Sequence, residues 1–239
     1  SDGTSTSTSA TVTSLTNGVL YYFKVAAVNS VGTGAYSDSV SATPTGPTTP
    51  SQVGTVTPTC GNTQSALSWS APATGGAAIT DYIIQYSTDN STWSTFSDGT
   101  STSTSATVTS LTNGTLYYFK VAAVNSVGTG TYSSAVSCTP ATTPSQVTSC
   151  TSKAFTGEAQ LSWTAPATGG AAITDYIPQY STDDSTWSTF SDGTSTSTTV
   201  TVTGLTNGVL YYFKVAAVNS VGTGTYCTST SVTVDEYST

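Results

Sequence analysis

Three features of the 239-residue sequence predict an all-β fold of tandem, seven-stranded β-sandwich domains. Strand chemistry runs throughout: Thr, Val, Tyr and Ile alternate with small residues, and 14 Tyr, 6 Phe and 4 Trp recur at intervals. Long stretches also repeat almost unchanged. Ser1–Tyr36 matches Ser97–Tyr132 at 34 of 36 positions, and the run returns at Ser191–Tyr226. Finally, the period is that of a whole domain rather than a solenoid repeat: Asn17 to Asn113 is 96 residues and Asn113 to Asn207 is 94.

Within the middle unit the strands are placed by apolar alternation between Gly, Pro, Asn and Ser turns. The first two, Val53–Pro58 and Ser65–Ser70, flank a Gly-Asn turn, and the second carries Trp69. Thr74–Gly76 then makes a loop before Asp81–Ser87, where Tyr82, Ile84 and Tyr86 share one face. Thr92–Phe96 and Ala106–Ser110 follow, and then Leu116–Asn125, with Tyr117, Phe119, Val121 and Ala123 on one face. Val127–Gly130 turns the chain into the last strand, Tyr132–Thr139. Two half-buried sheets packed face to face are expected.

The LSWSAP run around Trp69, the DYIIQY run and LTNGTLYYFKVAAVNSVGTG resemble the fibronectin type III signature. Their wording resembles tandem repeats of large bacterial secreted or surface proteins. The resemblance covers nearly the whole chain and implies immunoglobulin-like sandwiches. It makes Trp69 and Trp163 core tryptophans of the second strand, and Tyr117, six residues after Leu111, a tyrosine corner with copies at Tyr21 and Tyr211. The expected organisation is the C-terminal half of a domain at 1–44, a linker at 45–50, a domain at 51–140, a linker at 141–144 and a domain at 145–239. Three strands without the Trp-bearing half should not be stable alone. Either the chain is a piece of a longer array, or another chain supplies the missing strands. Pro178, where the middle unit has Ile84, suggests a local bulge in the third unit.

Four cysteines allow three pairings, and none has metal-ligand spacing. In such a sandwich the first and last strands run in the same sense. Cys60 and Cys138 end those strands in one unit, and Cys150 and Cys227 lie early in them in the next. The expected disulfides are therefore Cys60–Cys138 and Cys150–Cys227, each contributing about 4.5 kcal/mol in the chain-entropy model. Buried free thiols and a bridge between Cys138 and Cys150 are the alternatives. Disulfides point to an extracellular or cell-surface location.

Composition excludes much chemistry. There is no His or Arg, and only four Lys stand against twelve acidic residues, a net charge of −8. Imidazole catalysis and His-ligated metals are absent, and no basic patch can neutralise a nucleic-acid backbone. No apolar stretch approaches a membrane span. Asp81, Asp89, Asp98, Asp175, Asp183, Asp184 and Asp192 lie on separate turns with no calcium-loop spacing, and they read as solvated turn residues. No base is present to activate the 39 Ser and 54 Thr. No enzyme activity, cofactor or metal is expected. Asn90 and Asn113 begin glycosylation sequons.

The outward face of the penultimate strand is unusually apolar. Leu116, Tyr118, Ala122 and Val124 alternate with the core set, with Ile83 on the neighbouring strand and Lys120 as the one charge. The row recurs as Leu20, Tyr22, Ala26 and Val28, and as Leu210, Tyr212, Ala216 and Val218. Lateral contacts through this stripe, anchored by the tyrosines, are expected unless the strand phase is misassigned or glycans cover it. The resulting expectation is a non-enzymatic extracellular structural array, forming a stalk, surface fibre, sheath or filament with copies of itself or neighbouring domains. The alternative is an adhesin, or a carbohydrate-binding or spacer region of a larger secreted enzyme or virion fibre, with Trp93 and Trp187 as the candidates for sugar stacking.

Overall fold

Alternating β-branched, aromatic and small residues produce strands throughout the computed structural model, which describes residues 4–235. Positions 1–3 and 236–239 of the expected end segments lie outside the described residues. Among the described residues there is no helix. The first segment contains β1 (Tyr21–Phe23) and β2 (Val40–Ala42), which pair antiparallel.

The middle unit contains β3 (Thr57–Gly61), β4 (Gln64–Ser68), β5 (Ile79–Ser87), β6 (Ser94–Phe96), β7 (Ser105–Val108), β8 (Tyr117–Asn125), β9 (Gly128–Thr129) and β10 (Val136–Cys138). One sheet has the order β3-β4-β7, and the other β10-β8-β5-β6 with β9 also on β8. The third unit contains β11 (Thr148–Phe155), β12 (Glu158–Thr164), β13 (Ile173–Ser181), β14 (Ser188–Thr189), β15 (Thr199–Thr203), β16 (Leu210–Asn219), β17 (Gly222–Thr223) and β18 (Thr230–Thr233). Its sheets run β11-β12-β15 and β14-β13-β16-β17, with β18 on β16. The chain is thus all-β, with two sandwich domains in tandem.

Each core lies between its two sheets. In the middle unit Leu67 and Val108 from one sheet meet Tyr82, Ile84, Phe119, Val121 and Ala123 from the other, with Trp69 among them. Trp69 packs edge-on against Tyr82 with ring centroids 5.2 Å apart. Full burial of a side chain such as Phe119 stabilises by about 1.5–3 kcal/mol. The third unit repeats this core with Leu161, Val202, Tyr176, Phe213, Val215, Ala217 and Trp163.

Three local expectations are corrected. The first strand lies at Thr57–Gly61 rather than Val53–Pro58: its ladder with β4 begins at Thr57 opposite Ser68, while upstream the Ser51 N–H is bonded to the Ala73 carbonyl in a loop. Val53 and Val56 are buried in the core ahead of that ladder. The last strand is split, with β9 and β10 separated by Gly130–Ala135. Pro178 makes no bulge: it stays in register with Val215, and its carbonyl accepts from the Phe190 N–H at 3.0 Å. The register shift in β13 falls instead between Ile173 and Asp175, as its copy does between Ile79 and Asp81 in β5. The N–H that proline lacks faces the short edge strand, where Ile84 pairs with Phe96 in the middle unit. The cost is confined there, and β14 is one residue shorter than β6.

Candidate functional site

The outward face of the larger sheet in each unit carries a feature the sequence did not announce. The Lys120 ammonium lies 3.9 Å over the Trp93 ring and 4.9 Å from the Tyr132 ring centroid. Lys214 repeats the arrangement with Trp187 at 3.9 Å and Tyr226 at 4.9 Å. Each cation is held between the negative faces of two aromatic rings, while its alkyl stem covers the sheet. Burial pushes the Tyr132 and Tyr226 phenols above their ordinary range. In the first segment Lys24 has only Tyr36, at 4.8 Å. The available signal was positional: three of the four lysines, at 24, 120 and 214, occupy the same place in the repeat.

This arrangement changes the expected apolar stripe. Leu116 and Leu210 are exposed, whereas Tyr118, Tyr212, Ile83, Val124 and Val218 are half-buried. Ala122 and Ala216 are fully buried, so the row is interrupted rather than continuous. Ile83 stands directly opposite Ala122. A methyl group rises only one carbon from the sheet, so longer outward side chains close over it. Only the first segment leaves the row largely open, with Leu20 at 51%, Tyr22 at 71% and Val28 at 73% exposure; Ala26 is half-buried.

The structure brings together Cys60 with Cys138 and Cys150 with Cys227, with Cα–Cα separations of 6.0 and 6.4 Å. Of the aspartates expected on turns, Asp81 and Asp175 lie instead inside β5 and β13. Asp89 is held well below the usual carboxylate range by the Thr92 and Ser91 N–H groups and the Ser87 hydroxyl. Asp183 is held down likewise, by the Thr186 and Ser185 N–H groups and Ser181. Asp81 and Asp175 each accept from the following residue's N–H and from Ser101 and Ser195 respectively. Burial, and secondarily the Asp175 charge, raise Asp192. Among the described residues no three Cys, Asp or Glu side chains gather in a metal-holding group.

The joint between the middle and third units is tightly bonded. Pro140 accepts from the Gly114 N–H at 2.9 Å, and Ala141 donates to the Gly61 carbonyl at 3.2 Å. The very next residue belongs to the third unit: Thr142 donates to Gly169 at 2.8 Å and its carbonyl accepts from Asn219 Nδ2 at 2.8 Å. The joint has no free residue between its tethers. At Gly170, with φ +93°, a Cβ would lie 2.5 Å from the Gly114 nitrogen, so glycine is required for the two turns to meet. Asn113 is committed to the same turn, accepting from Thr63 and donating to Asn62. The first joint is looser. Pro44 accepts from Gly18 and Thr48 donates to Gly75, leaving Thr45, Gly46 and Pro47 between.

The family model for the fibronectin type III domain matches residues 49–139 and 142–234. Human Myomesin-2 is 31% identical over 227 residues, covering 88% of this chain and 15% of that protein. The chicken striated-muscle M-protein is 32% identical with the same coverages. A fibronectin type-III domain-containing protein 3A from Pongo abelii is 28% identical, over 90% of this chain and 19% of its own length. The chain therefore spans less than a fifth of the length of these relatives. All three are animal proteins, and the bacterial character expected from the wording of the repeats finds no support in them.

Proposed function

The chain belongs to the fibronectin type III family, and from that premise we propose that it is a non-enzymatic structural segment of an extracellular repeat protein. It would be extended by domain–domain contacts into a stalk, surface fibre, sheath or filament. The observation that carries this reading is the joint at Ala141–Thr142, where consecutive residues are hydrogen-bonded to different domains. A spacer transmits length and direction only if its joints resist bending, and short tethered linkers do so. Two disulfides favour an oxidising compartment.

The domains of this array would span 51–140 and 145–239, joined through 141–144. Residues 1–44 would be the C-terminal half of a further domain. The stripe of Leu20, Tyr22, Leu116, Tyr118, Leu210, Tyr212 and Ile83 would serve lateral contacts, strongest in the first segment where it is most open. Sugar stacking on Trp93 and Trp187 is disfavoured, because a lysine already occupies one face of each ring.

Electron microscopy of the natively isolated protein tests the proposal. Straight rods, regular filaments or lateral bundles are expected. Dispersed particles with freely varying angles between domains would overturn it.

A further inference from the structure

Near-identical repeats pose a pairing problem that this chain solves in its cysteines. Each sandwich is assembled from an N-terminal half, carrying the tryptophan, and a C-terminal half. The chain contains two N-terminal halves, about 53–96 and 147–190, and three C-terminal halves, about 4–44, 97–139 and 191–234. The C-terminal halves are so alike that any of them presents nearly the same core face to either N-terminal half. Such similarity invites misassembly between neighbours.

The two disulfides occupy different positions in the repeat. Cys138, Val232 and Ala42 are equivalent, since each pairs with the corner tyrosine of its own copy: Tyr117, Tyr211 and Tyr21. Cys227, Ser133 and Ser37 are equivalent as well. Each backbone N–H donates to the copy of one valine carbonyl, and each side chain accepts from that valine's N–H, in Val215, Val121 and Val25 respectively. On the N-terminal halves Cys60 corresponds to Ala154, opposite Ser65 and Ala159 respectively. Cys150 corresponds by the 94-residue offset to Val56. The Ser152 hydroxyl lies 3.2 Å from that of Thr230, which in neighbouring strands running the same way sets Ala154 beside Val232.

We infer that the two disulfides form a pairing code that admits only the native combination of halves. If 53–96 took 191–234, Cys60 would face Val232 and Val56 would face Cys227. If 147–190 took 97–139, Cys150 would face Ser133 and Ala154 would face Cys138. Segment 4–44 offers Ser37 and Ala42, and so can be bonded to neither N-terminal half. The two cysteine positions are four residues apart in the N-terminal halves and five in the C-terminal halves, about 13 Å or more along a strand, so a key cannot reach the wrong lock. Among the six combinations of halves, only the two native ones bring a pair of cysteines together. The code adds selection against wrong partners where the core faces themselves cannot discriminate.

The test gives both domains the same key. In one variant the third-unit bridge is moved by Cys150→Val, Cys227→Ser, Ala154→Cys and Val232→Cys. In a second, the middle-unit bridge is moved by Cys60→Ala, Cys138→Val, Val56→Cys and Ser133→Cys. Each full chain is reduced, unfolded, oxidatively refolded and mapped by mass spectrometry of its bridged peptides. The natural chain should return only the two native bridges. At least one variant should place about a tenth or more of its bridges between domains. Native-only pairing in both variants, or scrambled pairing in the natural chain, overturns the inference. Failure of both variants to form any defined bridge would also overturn it, because the positions would then not be interchangeable.

Discussion

Residues 4–36 and 100–132 are almost the same sequence in two environments, and their difference isolates what tertiary structure adds. Val25 is 73% exposed, whereas its copy Val121 is fully buried. Phe23 is half-buried and Phe119 completely so. The strand through Phe119 runs for nine residues, and the one through Phe23 for three. The cause is the N-terminal half of the unit: β5 pairs with β8 along nearly its whole length, and Leu67 of the opposite sheet, with Trp69, joins Phe119 and Val121 in one core. Without such a partner, the first segment keeps only what its own hairpin can hold. A two-stranded hairpin is marginal in water, and alternation specifies a face without supplying something to bury it against.

The strongest way to break this comparison is to remove the same ring from both copies. Phe119→Ala should cost about 3–5 kcal/mol, as deletions of large buried aromatics do. Phe23→Ala should change stability by no more than about 0.5 kcal/mol, because half-buried Phe23 lies outside both domain cores. Urea unfolding followed by tryptophan fluorescence reads both, since the domain cores hold Trp69 and Trp163. A loss of several kcal/mol for Phe23→Ala would show that the first segment is covered in solution.

A smaller effect separates local from long-range structure. The Thr112 N–H donates to the Tyr117 hydroxyl at 3.2 Å, and the copy from Thr16 to Tyr21 survives at 3.1 Å without any covering half. That bond also holds the Tyr21 phenol below its ordinary range. The corner is therefore a property of a six-residue stretch. Tyr117→Phe should lower domain stability by about 0.5–1.5 kcal/mol, the usual net worth of one hydrogen bond. Tyr21→Phe should leave global unfolding unchanged while speeding amide exchange at Thr16. An equal effect of both on global unfolding would contradict the separation.

These pairs also show why some of the molecule was legible in sequence and some was not. Alternation found the inward faces of β5 and β8, because period two is a local property. Strand sense sufficed for the disulfides, since only the direction of the outer strands was needed. It missed the burial of Ala122, which depends on the size of neighbours on other strands. It missed the start of β3, where Val53 and Val56 are apolar for the core yet lie outside the ladder. It also missed the lysine between two rings. Trp93, Lys120 and Tyr132 are far apart in sequence and meet only because β5 and β8 bring three segments to one face.

That lysine provides the finest test of the comparison. Lys120 touches two rings, and Lys24 only one, because no segment carrying a counterpart of Trp93 is packed beside it. A cation over an aromatic face is worth about 0.5–1 kcal/mol when exposed and about 2 kcal/mol when desolvated, and half-buried Lys120 falls between. Lys120→Gln keeps much of the stem and removes the charge, so it should cost about that much and change the emission of Trp93. Lys24→Gln should alter neither stability nor tryptophan emission. Added salt distinguishes this contact from a surface ion pair: a cation sandwiched between rings is shielded from mobile ions, so the cost of Lys120→Gln should persist at about 1 M salt. If it vanished there, the lysine would be acting through the net negative charge of the whole chain, and the rings would be bystanders.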